Sequence, residues 1–106
     1  MGLDMNTSIE LSIIREIMEE LRNATEKHPL WPTDPLHAVA IVSEECGELV
    51  KAVLEYTYEP QKTTPEQIVN EATQAAVTLI RFLAGVRSYS YKKADLIPLD
   101  TSATTG

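Results

Sequence analysis

One cysteine, four glycines, one phenylalanine and one tryptophan in 106 residues leave little to build several kinds of protein with. Cys46 alone closes no intrachain disulfide, and no Cys/His spacing suggests a zinc site, so its ordinary role is that of a small buried apolar group. The few glycines form neither a Gly-x-x-x-x-Gly-Lys loop nor a Gly-x-Gly-x-x-Gly turn, which removes the common phosphate-cradling loops. Basic residues are also scarce: 9 Lys and Arg against 16 Asp and Glu give a formal charge of -7. A nonspecific grip on nucleic-acid phosphates or anionic lipid is excluded by that balance, and cations become the natural partners. No apolar run is long enough to span a bilayer, and the opening "MGLDMNTSIE" lacks the basic and apolar parts of a signal peptide. The sequence therefore reads as cytoplasmic. His28 and His37 fall in or just after a proline-rich connection, where surface or capping roles are the default, and no nucleophile triad is supported.

The residues present describe helices. Thr7 and Glu10 make a capping box, and Ile14, Ile17, Met18, Leu21 and Ala24 recur on one face, which predicts a first helix from about Ser8 to Thr25. In "EKHPLWPTDP" three prolines break the chain, and Asp34 before Pro35 predicts the cap and first position of a second helix. Val39, Val42, Cys46, Leu49, Val53 and Tyr56 form its stripe, with an end near Tyr56. Thr64, Pro65 and Gln67 repeat the capping pattern, and Ile68, Ala72, Ala76, Leu79 and Leu83 carry a third helix to about Ala84, with Gly85 just past its end. "SYSYKK" alternates like a short strand, and "DLIPLDTSATTG" reads as a tail or an arm for a partner chain. The expected architecture is all-α: one helical domain over 1–87 and a C-terminal tail or oligomer arm over 88–106. Three helices in so small a domain bury their apolar faces poorly alone, so homo-oligomerisation into a larger bundle is expected, as a homodimer or homotetramer.

The stretch "EECGELVKAV" places Glu44, Glu45 and Glu48 within about one helical turn. Glu44 points away from the apolar stripe. Glu45 lies at its edge among Ile41, Val42 and Leu49, with no basic helical neighbour, and Glu48 follows with Lys51 as its only local cation. Glu71 repeats the anomaly on the third helix, flanked by Gln67, Ile68, Gln74 and Ala75. Clustered glutamates are ordinarily a solvated face; the second unpartnered carboxylate on another helix is what weakens that reading. If the two helices pack through their stripes, these carboxylates converge, and a pair about 4 Å apart repels by roughly 4 kcal/mol at an effective dielectric near 20. A divalent cation with oxygen ligands offsets such repulsion. Neither histidine stands three residues after a glutamate, so the di-iron bundle pattern is absent and all-oxygen ligation favours Mg²⁺ or Mn²⁺.

Glu44-Glu45-Cys46-Gly47-Glu48-Leu49, followed after a loop by Glu71-Ala72-Thr73-Gln74, resembles the MazG-like all-α nucleoside triphosphate pyrophosphohydrolases over roughly Trp31 to Leu83. The family pattern is a Glu-Glu-x-x-Glu helix and a Glu-x-x-Asp helix that together hold Mg²⁺ against a nucleotide triphosphate. Gln74 departs from it, keeping an oxygen donor where the pattern has aspartate but losing one negative charge. The resemblance implies a MazG-like helical bundle and hydrolysis between the α- and β-phosphates, giving a nucleoside monophosphate and pyrophosphate, in the manner of nucleotide-pool house-cleaning. It implies Glu45, Glu48, Glu71 and Gln74 as metal ligands and Glu44 and Glu45 as the catalytic carboxylates, Glu44 holding a second metal or orienting the attacking water.

Lys51 and Arg81 are candidates for the phosphates, with surface salt bridges as their alternative. Trp31 is a candidate for base stacking, with a packed lid over the core as its alternative. Asn70 is a candidate for base or sugar recognition through its amide, or simply an exposed polar residue. Two rival functions stay open: a noncatalytic nucleotide- or metal-binding protein on the same fold, and a helical interaction module whose acidic seam meets a basic partner without metal.

Overall fold

The computed structural model describes residues 4–91. Three helices dominate it: α1 over Met5–Lys27, α2 over Pro35–Tyr58 and α3 over Pro65–Gly85, with a single 3₁₀ turn, Pro60–Lys62, between the last two. There is no strand among the described residues.

Local chemistry sets most of the helix ends. Asp34 Oδ1 accepts from the Leu36 N–H at 2.9 Å, and Pro35 follows at the first helical position, where its missing N–H costs nothing. Thr64 Oγ1 accepts from the Gln67 N–H at 3.2 Å ahead of Pro65. Pro60 stops α2, because the residue before a proline is pushed out of helical geometry, and Glu59 closes the helix with a 2.7 Å bond from its N–H to the Glu55 carbonyl.

The start of α1 departs from expectation. Asp4, not Thr7, is the cap, its Oδ1 accepting from the Thr7 N–H at 2.7 Å. An aspartate caps at least as well as a threonine, so the helix gains three residues at its beginning. The bond from the Thr7 backbone, with further contacts to Thr7 and Asn6, holds the Asp4 carboxyl below the usual carboxylate range.

Packing places α3 between the other two helices; α1 and α2 each lie against α3 and do not approach one another. Small residues decide the α2–α3 seam. Ala38, Val42 and Ala52 are buried on α2 and Ala75 and Val77 on α3, while Val39, Val53 and Tyr56 of the expected stripe stay exposed. The true seam is thus turned toward the alanines, which let the two helix axes come close. That rotation brings Glu45 onto the packed side with Ile41 and Leu49, all half-buried. Leu79 and Leu83, expected on the α3 stripe, are exposed.

Helix α1 has no buried residue. Ile17, Glu20, Leu21 and Ala24 are half-covered, whereas Ile9, Ile13, Ile14 and Met18 are open.

After Gly85 the chain turns back on the bundle instead of extending as a strand. Tyr89, placed by its sequence in the tail, is buried, and its ring lies 5.4 Å from Phe82 and 6.1 Å from Tyr91. The Ser90 N–H donates to the Thr33 carbonyl at 2.8 Å, tying this return to the proline-rich connection. Gly85 belongs to α3 as its last residue, and a Cβ there would meet the Tyr89 ring and hydroxyl at 3.0 Å. Lys92, Lys93 and the rest of the expected arm lie outside the described residues.

Candidate functional site

The α2–α3 seam positions the acidic residues. Glu45 is half-buried, and its carboxyl is pushed above the usual range first by burial and then by the charges of Glu71, Glu44 and Glu48. Each of those charges raises the cost of ionising Glu45, so the four glutamates share one electrostatic neighbourhood. None of the four is ion-paired among the described residues, where the sole ion pair is Lys62–Glu59, at 3.0 Å. Glu71 is held by its own helix, accepting from Gln67 Nε2 at 2.8 Å, so Gln67 serves Glu71 instead of closing the capping box.

Beside these residues runs a cleft of ≈ 360 Å³ whose walls include Glu48, Lys51, Glu55, Lys62, Thr63 and Glu71. It brings Lys51 together with two of the expected metal ligands. Thr63 Oγ1 is buried there with no hydrogen-bond partner among the described residues. Glu44 is exposed on α2. Among the described residues no three His, Cys, Asp or Glu side chains stand close enough to form a ready-made ligand set. The glutamates therefore act on one another through their field at distances longer than those of a closed cage.

Gln74 is turned toward α1. Its Nε2 donates to Glu20 Oε2 at 2.9 Å, and both residues line a second cleft, ≈ 720 Å³, with Asn23, Lys27 and His28. Glu20 was missed by the sequence reading. Its signal was the one that found Glu71, a carboxylate with apolar neighbours at three and four positions, Ile17 and Ala24.

Trp31 and Arg81 meet each other and not the glutamates. The Arg81 guanidinium lies 4.9 Å over the Trp31 ring, and its Nη2 donates to the His28 carbonyl at 2.7 Å. This places Arg81 at the end of α1, about 15 Å further along α3 than Glu71. Trp31 and Arg81 line a third, largely apolar cleft of ≈ 370 Å³ with Leu21, Ile80 and Ala84. Asn70 is exposed on α3.

No helix among the described residues is long and apolar enough to cross a membrane. No protein-family model, no curated protein and no solved structure matches this chain.

Proposed function

We propose that this chain is a Mg²⁺- or Mn²⁺-dependent nucleoside triphosphate pyrophosphohydrolase of the MazG-like type, releasing a nucleoside monophosphate and pyrophosphate. The observation that carries the reading is Glu45: a half-buried residue whose carboxyl is raised by desolvation and by three further glutamates, and which has no ion pair among the described residues. One perturbed carboxylate among three further glutamates is suited to a divalent cation, and the donor set is all oxygen. Glu45, Glu48 and Glu71 would hold the metal, with the Gln74 oxygen as a weaker or water-mediated ligand; when bound, it neutralises phosphate oxygens and lowers the pKa of a coordinated water.

The chain's own residues divide the remaining work. Lys51, in the cleft with Glu48 and Glu71, offers an ammonium to the phosphate chain. Glu44, free on the outer side of α2, orients the attacking water or holds a second ion.

One observation favours a second reading, a noncatalytic nucleotide- or metal-binding protein: the amide of Gln74 is engaged with Glu20, and the site has one charge fewer than the pattern it resembles.

A homo-oligomer belongs to the same proposal. Ile9, Ile14, Leu79 and Leu83 are large apolar residues left exposed, and α1 has no buried residue, faces that a second copy would cover. Sedimentation of the purified chain should give at least twice the monomer mass.

The deciding experiment incubates the protein with canonical and modified nucleoside triphosphates, with Mg²⁺, Mn²⁺ or chelator, and separates pyrophosphate from orthophosphate. Metal-dependent pyrophosphate release that Glu45→Gln and Glu71→Gln both abolish supports the hydrolase. Heat stabilisation by metal and nucleotide without turnover supports the binding protein. Neither response leaves the metal-free interaction module.

A further inference from the structure

The cleft beside Trp31 differs in chemistry from the two that hold the glutamates and Gln74. Leu21, Trp31, Ile80 and Ala84 make its walls largely apolar, and Arg81 is the one charged residue lining it among the described residues. Its volume, ≈ 370 Å³, falls within the range of small-molecule pockets, about 300–1,000 Å³. Apolar walls with a single fixed polar group are the pattern that holds and orients such a ligand.

Arg81 stands out in this chain. Acidic residues outnumber basic ones by 16 to 9, yet no carboxylate pairs with Arg81 among the described residues. It is half-buried, so water compensates its charge only in part. The guanidinium is also held in place, 4.9 Å over the Trp31 ring, with Nη2 donating to the His28 carbonyl at 2.7 Å. A neutral carbonyl uses one donor and leaves the charge unanswered, and the planar fork of donors matches a carboxylate. Trp31 is fixed in turn by the bond from its Nε1 to the Tyr89 hydroxyl. Little side-chain freedom is left to lose on binding.

We propose that this cleft binds a small aromatic carboxylate, with its ring among Leu21, Ile80 and Ala84 beside Trp31 and its carboxylate on Arg81. Charge complementarity selects the anion, and a rigid ring fills an apolar space of this size with few bonds to freeze. The proposal does not rest on the hydrolase reading: Glu71 lies about 15 Å back along α3, in a different cleft.

The test titrates the ¹⁵N-labelled full-length chain with 2-naphthoate, with uncharged 2-naphthylmethanol and with decanoate. Calorimetry gives each dissociation constant, and Trp31, the only tryptophan, gives the single indole N–H resonance. 2-Naphthoate should shift that resonance and bind at least about tenfold more tightly than the alcohol, the ratio that one charge-assisted hydrogen bond supplies. Arg81→Gln should erase the difference by weakening the acid and leaving the alcohol unchanged. Because Arg81 also supports the fold, Ala84→Phe is the second variant. Ala84 is exposed, so a ring there occupies the cleft without entering the core, and both naphthyl ligands should weaken about tenfold or more. Equal binding of acid and alcohol would overturn the role of Arg81. Tighter binding of decanoate would overturn the aromatic class. No binding of 2-naphthoate below about 1 mM, or binding that leaves the Trp31 resonance in place, would overturn the site itself. Displacement of 2-naphthoate by a nucleoside triphosphate would overturn its independence and return the cleft to the proposed substrate.

Discussion

The indole N–H of Trp31 donates to the hydroxyl of Tyr89 at 2.7 Å, and that hydroxyl donates in turn to the Phe82 carbonyl at 3.1 Å. One oxygen therefore joins the proline-rich connection, the end of α3 and the chain that returns from it. Tyr89→Phe removes both bonds while keeping the ring, and leaves a part-buried indole N–H without its acceptor. Stability in urea should fall by about 1–3 kcal/mol. Trp31 is the only tryptophan, so its emission reads the site directly, and an unchanged spectrum and midpoint would show that the hydroxyl is dispensable.

Gly85→Ala should destabilise, although alanine is the better helix former by about 1 kcal/mol. The added Cβ would stand 3.0 Å from the Tyr89 ring, whose hydroxyl is fixed by two hydrogen bonds and cannot easily give way. Net losses of about 1–3 kcal/mol are typical of such overpacking. The change combined with Tyr89→Ala should relieve the clash, a coupling that a double-mutant cycle in urea would expose.

The raised carboxyl of Glu45 carries a definite sign. In the folded state it releases its proton at higher pH than in the unfolded chain, so ionisation favours unfolding. Its effect is absent below the unfolded carboxylate pKa and grows as pH rises from there through the raised folded value, after which it is constant. Glu45→Gln should therefore raise the unfolding midpoint at pH 7–8 in chelator and change it little near pH 4. Equal effects at both pH values would contradict the shift. If the site takes a divalent cation, added Mn²⁺ should raise the wild-type midpoint more than that of the variant.

Arg81→Lys tests whether that guanidinium holds the fold or the substrate. It stacks on Trp31 and bonds the His28 carbonyl, two roles that a lysine ammonium fills poorly. Loss of the stacking alone should cost about 0.5–1 kcal/mol. If the chain turns over nucleotides as proposed, the half-saturating nucleotide concentration measured below the unfolding midpoint should be unchanged. A large rise in that concentration with unchanged stability would instead place Arg81 against the phosphates.

How much was legible in the sequence follows the range of each interaction. Asp34-Pro35 and Thr64-Pro65 specify helix starts by bonds reaching two or three residues, and both starts are where the pattern puts them. The α1 start slipped by a few residues because Asp4 and Thr7 were both competent caps and only one could win. The α2 seam was misjudged by a rotation: hydrophobicity ranks Val53 and Tyr56 above Ala38 and Ala52, yet close approach of two helices selects the alanines. Glu45 and Glu71 were singled out by their missing local cations, and the structure gives them a common field. The partners of Gln74 and Arg81 lay beyond reach, since Glu20 and His28 meet them only through the packing of α1 on α3. Tyr89 was hidden for the same reason, its alternating neighbours imitating a strand.

Because α1, among the described elements, lies on α3 alone and has no buried residue, its amide hydrogens have a route to solvent that does not require the α2–α3 seam to separate. Deuterium should enter α1 well before the middle of α3, and the two clefts that α1 helps to wall should open and close with that exchange.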